Sequence, residues 1–493
     1  MLRWVYAPIL ALLFFSAMAD TDKLPDPMSV TTKHKITLQG KAIRYQAVAE
    51  QVRIHNQKNQ PCADIFSVSY LSSEHDNRQN RPVTFVFNGG PGSSSVWLHL
   101  GLLGPQRVVI DQDAGDDGAA PFKLQPNIYS LLDITDLVMI DPVGTGFSRP
   151  LSHADRDDFW GVSQDADSLA TFIRQWLTKH NRWNSPKYLA GESYGATRTA
   201  YLTEALHNGL QDVALNGVIL ISAVLDFSTI RSSDYNINTP VTALPTMAAI
   251  AWYHGKITNE PELEPFLDRA REFALTDYAT ALYKGNRLSK SGRQQILEKL
   301  VHFTGLPKEF LQRANLYLDP TSFRKELLRD RGMAVGRLDG RYLGEEEDHN
   351  ADSPDADPSG YGVSAAYTAA INHYLLNELK INSDRPYEIL SMDANKKWDW
   401  HENGRIFGGF NVDVTPKFSQ ELRQNRNYRI FIANGYYDLA TPFLGTETSF
   451  ARHHIPADRV VLKYYSAGHM MYVHQESLEQ LAQDIRRFIL GEE

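Results

Sequence analysis

The chain has 493 residues, of which 42% are hydrophobic, with a formal net charge of −9 and a single cysteine. That length buries a large core and exceeds what one compact unit usually needs. The charge is spread without long like-charge blocks, which excludes a basic nucleic-acid footprint, and a lone cysteine excludes an internal disulfide.

Residues 1–19 read as an export signal. Arg3 supplies the positive start, Ala7–Phe15 the apolar stretch, and Ala17-Met18-Ala19 a small-residue cleavage site. The apolar run is short for a bilayer span, and no later segment is long and apolar enough to cross one. The mature chain is therefore expected to begin near Asp20 as a soluble exported protein, periplasmic or secreted. Cys62, in the polar stretch Asn56–Asp64, is expected to be a surface-loop thiol.

Residues 34–70 alternate apolar and polar in short runs: Ile36–Leu38, Ile43–Val48 and Ile65–Tyr70. These predict antiparallel strands. Six nearly continuous apolar runs follow: Val83–Phe87, Leu137–Ile140, Lys187–Ala190, Val218–Ile221, Arg429–Ala433 and Val460–Tyr465. Such runs suit strands buried on both faces of a parallel sheet. Helical stripes lie between them. Leu169, Phe172, Ile173, Trp176 and Leu177 form one, with Ser163 as expected N-cap and Asp165 and Asp167 in its first turn. Leu478, Leu481, Ala482, Ile485, Phe488 and Ile489 form another.

From about Phe227 to Arg405 this rhythm breaks into helical, aromatic-rich sequence, with Gln294–Phe303 and Val363–Leu379 as the clearest helices. The acidic stretch Glu345–Pro358 reads as a solvated loop, because it lacks the spacing of an EF-hand. The expected division is a core in two parts, 20–226 and 406–493, with a helical cap insertion over 227–405.

Gly191-Glu192-Ser193-Tyr194-Gly195 follows a predicted strand and opens a predicted helix. A sharp strand-to-helix turn needs small residues around its serine, whose hydroxyl it lifts clear of the sheet at a helix N-terminus. Serine needs a base, and the base needs an orienting carboxylate. Asp438 and His469 each lie just past a predicted strand and come in the order Ser, Asp, His, whereas His453 and His454 read as surface residues. The Gly-rich loop Asn88-Gly89-Gly90-Pro91-Gly92 also follows a strand, so the N–H groups of Gly90 and Tyr194 are the expected oxyanion donors. Together these features predict an α/β-hydrolase fold, a mostly parallel sheet with a helical cap, and catalysis by Ser193, Asp438 and His469.

Five segments in order resemble the serine carboxypeptidases. They are Asn88–Gly92 with Ser94-Ser95, the run Pro142–Ser148, Gly191–Tyr194, Asn434–Asp438 and Gly468-His469-Met470. The chain is identified on these as a bacterial exported member of that family. The resemblance implies release of single residues from peptide C-termini, with Asn88 and a protonated Glu192 holding the substrate carboxylate. It implies no metal or organic cofactor, a peptide as partner, no nucleic acid, and no membrane once the signal is removed, with a homodimer left open.

The chain departs from the family at two places. Ser93 stands where the family has a cysteine, and Leu102 stands where a second glutamate pairs with the one beside the nucleophile. The second departure leaves an esterase or acyltransferase as the alternative. Trp398 and Trp400 read as cap packing or pocket lining. An intact set of Ser193, Asp438 and His469 argues against a non-catalytic binding protein.

Overall fold

The six apolar runs expected to be doubly buried all form strands and lie side by side, but the last, Val460–Tyr465, ends the sheet and is mostly half-buried, because an edge strand has a neighbour on one side only. In the computed structural model, the structure describes residues 24–56, 58–74, 78–110, 118–151, 154–207, 211–231, 236–401 and 412–492. The expected signal at 1–19, the start near Asp20 and the boundary at 405/406 lie outside the described residues. The ten-stranded central sheet contains β1 (Ser29–Leu38), β2 (Lys41–His55), β3 (Pro61–Ser72), β4 (Val83–Phe87), β5 (Asp136–Ile140), β6 (Lys187–Glu192), β7 (Gly217–Ile221), β8 (Arg429–Gly435) and β9 (Val460–Tyr465). Its order is β1-β2-β3-β5-β4-β6-β7-β8-β9, with the two-residue strand Arg149–Pro150 paired to β3 off that path. β1 to β3 are antiparallel, β3 meets β5 antiparallel, and the six strands from β5 to β9 run parallel.

Strand periodicity explains why the runs are apolar throughout. Phe85, Phe87, Leu189 and Leu220 pack on one face with helices α1 (Val162–Lys179) and α2 (Tyr194–His207). The intervening Val86, Ala190 and Ile219 pack on the other face with α6 (Gln475–Leu490). Successive side chains point to opposite faces, so a sheet covered on both sides needs apolar residues at every position. Trp176 of α1 meets Phe85 edge-on at 5.2 Å. Each such fully buried side chain contributes about 1.5–3 kcal/mol.

Four local expectations are corrected. Helix α1 is capped by Gly161 in extended backbone rather than by Ser163, and it makes no side-chain cap. Of the two acids expected in its first turn, Asp165 is there, buried against Arg198, whereas Asp167 lies beyond that turn because the helix starts at Val162. Cys62 is buried in β3, not on a surface loop, and its thiol faces the Ile54 carbonyl 3.5 Å away. β3 covers its polar flanks by pairing with β2. Within Glu345–Pro358, Glu346 is buried and paired with Lys325, so this stretch is anchored rather than wholly solvated.

Between β7 and β8 the chain is mainly helical. The predicted helices fall within α4 (Lys290–Thr304) and α5 (Tyr361–His373), the latter running into the π-helical turn Tyr374–Glu378. α3 (Asn238–Tyr253) is buried along nearly its whole length and centres a separate core with Phe266, Leu300 and Phe303. That core continues onto Tyr436, Tyr437 and Leu439, the residues that follow β8. Among the described residues no helix is long and apolar enough to cross a membrane.

Candidate active site

Ser193 sits between β6 and α2 with φ +61°, a left-handed conformation that side chains avoid unless their surroundings hold them there. Its N–H donates to the Ile221 carbonyl at 2.9 Å, which ties the turn to β7. A Cβ on Gly191 would lie 2.3 Å from the Gly195 carbonyl oxygen, so only glycine lets the strand end fold this tightly under the helix. Tyr194 opens α2, and its N–H has no acceptor within the helix. The turn therefore presents a hydroxyl and an N–H at one place.

Asp438 and His469 come together from the ends of β8 and β9. His469 Nδ1 lies 2.7 Å from Asp438 Oδ2, and both residues are buried. The other carboxylate oxygen, Oδ1, accepts from the N–H groups of Ala440 at 2.8 Å and Thr441 at 3.0 Å. The Thr441 hydroxyl donates to Oδ2 at 2.5 Å. Burial alone would raise the Asp438 pKa, but the His469 charge and these hydrogen bonds hold it below the ordinary value. Burial likewise pushes His469 down, while Asp438 and then Glu192 more than offset it, leaving the imidazole above 6.5. The His469 backbone is held from two sides: its N–H donates to Leu338, and its carbonyl accepts from the Ser222 hydroxyl at 2.7 Å.

Ser193 and His469 line one cavity of about 350 Å³ with Asn88, Gly90, Glu192 and Tyr194. Gly90 has φ +103°, a conformation suited to turning its N–H out of the loop after β4. Arg337, Val363 and Leu390 line the same cavity from the largely helical region. Trp398 and Trp400 do not; they pack edge-on against Tyr194 at 5.3 and 5.7 Å, so they are packing residues. His453 is half-buried with its ring on Asp413 and His454 is exposed, both away from the cavity lining.

Glu192 is buried beside Ser193 and accepts a 2.7 Å hydrogen bond from the Tyr472 hydroxyl. Burial lifts its carboxyl to about 7 against an ordinary 4.5. The charge on His469 and the Tyr472 hydrogen bond pull it down, and Asp438 pushes it up. Asn88 Oδ1 accepts from the Leu98 N–H at 3.1 Å. Among the described residues its Nδ2 makes no hydrogen bond of ordinary geometry, yet it stands close enough to Glu192 to favour the ionised form. The site thus offers an amide donor and a carboxyl that keeps its proton to near neutrality.

The sequence reading missed several supporting residues. Thr441 lies three positions after Asp438, the spacing at which an aspartate caps its own turn, and that was a usable signal. Ser222 and Tyr472 have no local signature for the contacts they make. The most consequential is Arg198 of α2, wholly buried, which pairs with Asp165 at 2.5 Å and donates to the Asn88 carbonyl. It also lies over the rings of Phe87 and Tyr194 at 5.6 and 5.2 Å. Removing one partner of a buried pair strands the other charge. Arg198→Met is expected to lower unfolding stability by about 3–5 kcal/mol. Urea denaturation checks this, and a loss below about 1 kcal/mol would show the pair to be dispensable.

A mostly parallel sheet with a serine lifted on the turn after one central strand, and an Asp–His pair past the last two, defines the α/β-hydrolase class. A model of the serine carboxypeptidase family matches residues 59–483, and the chain belongs to that family. Serine carboxypeptidase-like 16 of Arabidopsis thaliana is 29% identical over 174 residues, covering 33% of this chain and 38% of the relative. Pheromone-processing carboxypeptidase KEX1 of Yarrowia lipolytica is 33% identical over 150 residues, 30% of this chain and 22% of that protein. These matches span well under half of either relative. Serine carboxypeptidase-like 2 of Arabidopsis thaliana aligns more broadly, 23% identical over 77% of this chain and 70% of its own. The structure of a prohormone-processing carboxypeptidase from Saccharomyces cerevisiae shares the fold, with TM-score 0.54 and 15% identity over 91% of this chain and 92% of that one.

Proposed function

We propose that this protein is an exported serine-type carboxypeptidase that releases C-terminal amino acids from peptides. The observation that carries this reading is Glu192, a buried carboxyl with a pKa near 7 in the cavity that Ser193, Asn88 and His469 line. An ordinary esterase has no use for a neutral acid one residue from its nucleophile, whereas a free carboxylate needs a donor there. Asn88 and protonated Glu192 hold the substrate's terminal carboxylate. Ser193 Oγ attacks the last peptide carbonyl, and His469 takes its proton and passes it to the leaving amino acid. Asp438 on Nδ1 fixes the tautomer that leaves Nε2 free to accept. The N–H groups of Gly90 and Tyr194 receive the oxyanion, and water then hydrolyses the acyl-enzyme. The cap over 227–405 shapes the side-chain pocket through residues such as Arg337 and Val363. The alternative, an esterase or acyltransferase on the same three residues, draws on Leu102, which leaves Glu192 without a second acid.

The test compares an N-blocked dipeptide bearing a free C-terminus with its C-terminal amide from acidic to alkaline pH. The free acid should be preferred, with KM rising through the Glu192 pKa near 7. Equal turnover of both substrates at every pH, or of simple esters only, would sink the reading. Glu192→Gln should abolish the rise, because an amide donates at any pH.

The same substitution has a stability consequence of definite sign. The folded-state value is about 7 and the ordinary value 4.5, so the unfolded chain releases this proton first. The stability that Glu192 contributes is therefore lost as pH rises from about 4.5 to about 7 and stays lower above that. Glu192→Gln should remove this group's share of the fall, gaining on the order of 3 kcal/mol at about pH 8 relative to about pH 4. Urea midpoints at the two pH values check it.

A further inference from the structure

We propose that Tyr472 is the positioning residue of the carboxylate end of this site, its phenol holding Glu192 where Leu102 supplies no second acid. The inference rests on the carboxypeptidase reading above. Tyr472 lies in the short turn Met471–Val473, three residues past His469, and is fully buried. Its hydroxyl reaches Glu192 Oε2 at 2.7 Å across 280 residues of sequence. Room for its ring comes from the segment that carries Leu102. A Cβ on the neighbouring Gly101 would stand 2.4 Å from Tyr472 Cε2 and 2.6 Å from the Tyr367 hydroxyl. Leu102 itself has no exposed surface and belongs to the apolar core that Tyr367 and Tyr472 also join.

This arrangement differs chemically from a pair of carboxyls. Two acids share one proton, and their mutual repulsion sets where it is lost. A phenol keeps its own proton throughout the working range, since burial and Glu192 hold the Tyr472 pKa far above 10. It can only donate to the carboxylate, which favours the ionised form of Glu192. It also occupies Oε2, so the proton Glu192 carries is directed to Oε1, the oxygen left for the cavity. The other groups facing Glu192 are His469 and Asp438 from the ends of the last strands, Asn88 from the loop after β4, and Tyr367 from α5. Arg337 acts on His469 from the largely helical region. None of the acids among them stands as hydrogen-bond partner to Glu192.

The test uses the full chain and measures kcat and KM for the N-blocked dipeptide acid and its amide across pH, in wild type, in Tyr472→Phe, and with 3,5-difluorotyrosine placed at 472. Without the phenol the ionised form of Glu192 loses a donor, so the pH at which KM for the free acid begins to rise should move up by about one unit. The fluorinated phenol is a stronger donor of nearly unchanged size and should move it down, which keeps the test alive if the phenylalanine variant folds poorly. The shift belongs to KM of the free acid; a merely structural role would lower kcat on both substrates at every pH. Profiles that superimpose on wild type in both variants overturn the role of Tyr472 while leaving the carboxypeptidase reading intact. A wild-type enzyme with no preference for the free acid overturns both.

Discussion

Ser193→Ala is expected to lower kcat on a blocked peptide acid by about a millionfold, the scale on which triad hydrolases lose turnover, while leaving the fold and KM nearly unchanged. The substitution deletes one oxygen at a position whose φ of +61° is held by the Ser193 N–H bond to Ile221 and by the packed glycines around it. Alanine meets the same backbone demand as serine, so thermal unfolding should not move by more than about 1 kcal/mol. The residues around Ser193 act as a unit, so adding His469→Ala to Ser193→Ala should cost little more. Labelling by a fluorophosphonate should vanish in parallel with turnover. Undiminished turnover in the alanine variant would end the mechanism.

Asp438→Asn is expected to cost about 10⁴ in kcat with KM changed only a few-fold. The reason lies in how the carboxylate is held. Oδ1 already accepts from two backbone N–H groups, of Ala440 and Thr441. An asparagine placed there must put its carbonyl oxygen at that position to satisfy them, which turns its NH₂ toward His469 Nδ1. The imidazole then presents an acceptor at Nδ1 and carries its proton on Nε2, the nitrogen that has to take the serine proton. The loss should appear in kcat at every pH, because a tautomer rather than a titration is at fault. A loss below tenfold would mean that another group orients His469.

Much of this site was legible because its logic is local. The turn at Gly191–Gly195 announces itself by small residues flanking a serine between a strand pattern and a helix pattern, and the structure forms that turn between β6 and α2. The core strands were equally readable, since burial on both sheet faces forces an apolar residue at every position. Cys62 and Ser163 show where local reading failed. A polar neighbourhood suggested a loop for Cys62, but pairing of β3 between β2 and the segment Arg149–Leu151 buries it, and pairing partners are not written next to the residue. Ser163 had the right chemistry for a cap, but the backbone entering α1 turns at Gly161 instead.

The sequence by itself determined the fold class and the strand runs, and it offered Ser193, Asp438 and His469 as the candidate catalytic residues, because periodicity and turn chemistry are properties of neighbouring residues. Only the tertiary structure decided what surrounds them. It buries Glu192 until its carboxyl holds a proton to about 7, sets the Tyr472 hydroxyl on Oε2, and braces the Asn88 loop with Arg198. Desolvation and hydrogen bonding across hundreds of residues depend on which surfaces meet. No spacing along the chain encodes that, so the candidate residues were written locally and their surroundings were set by packing.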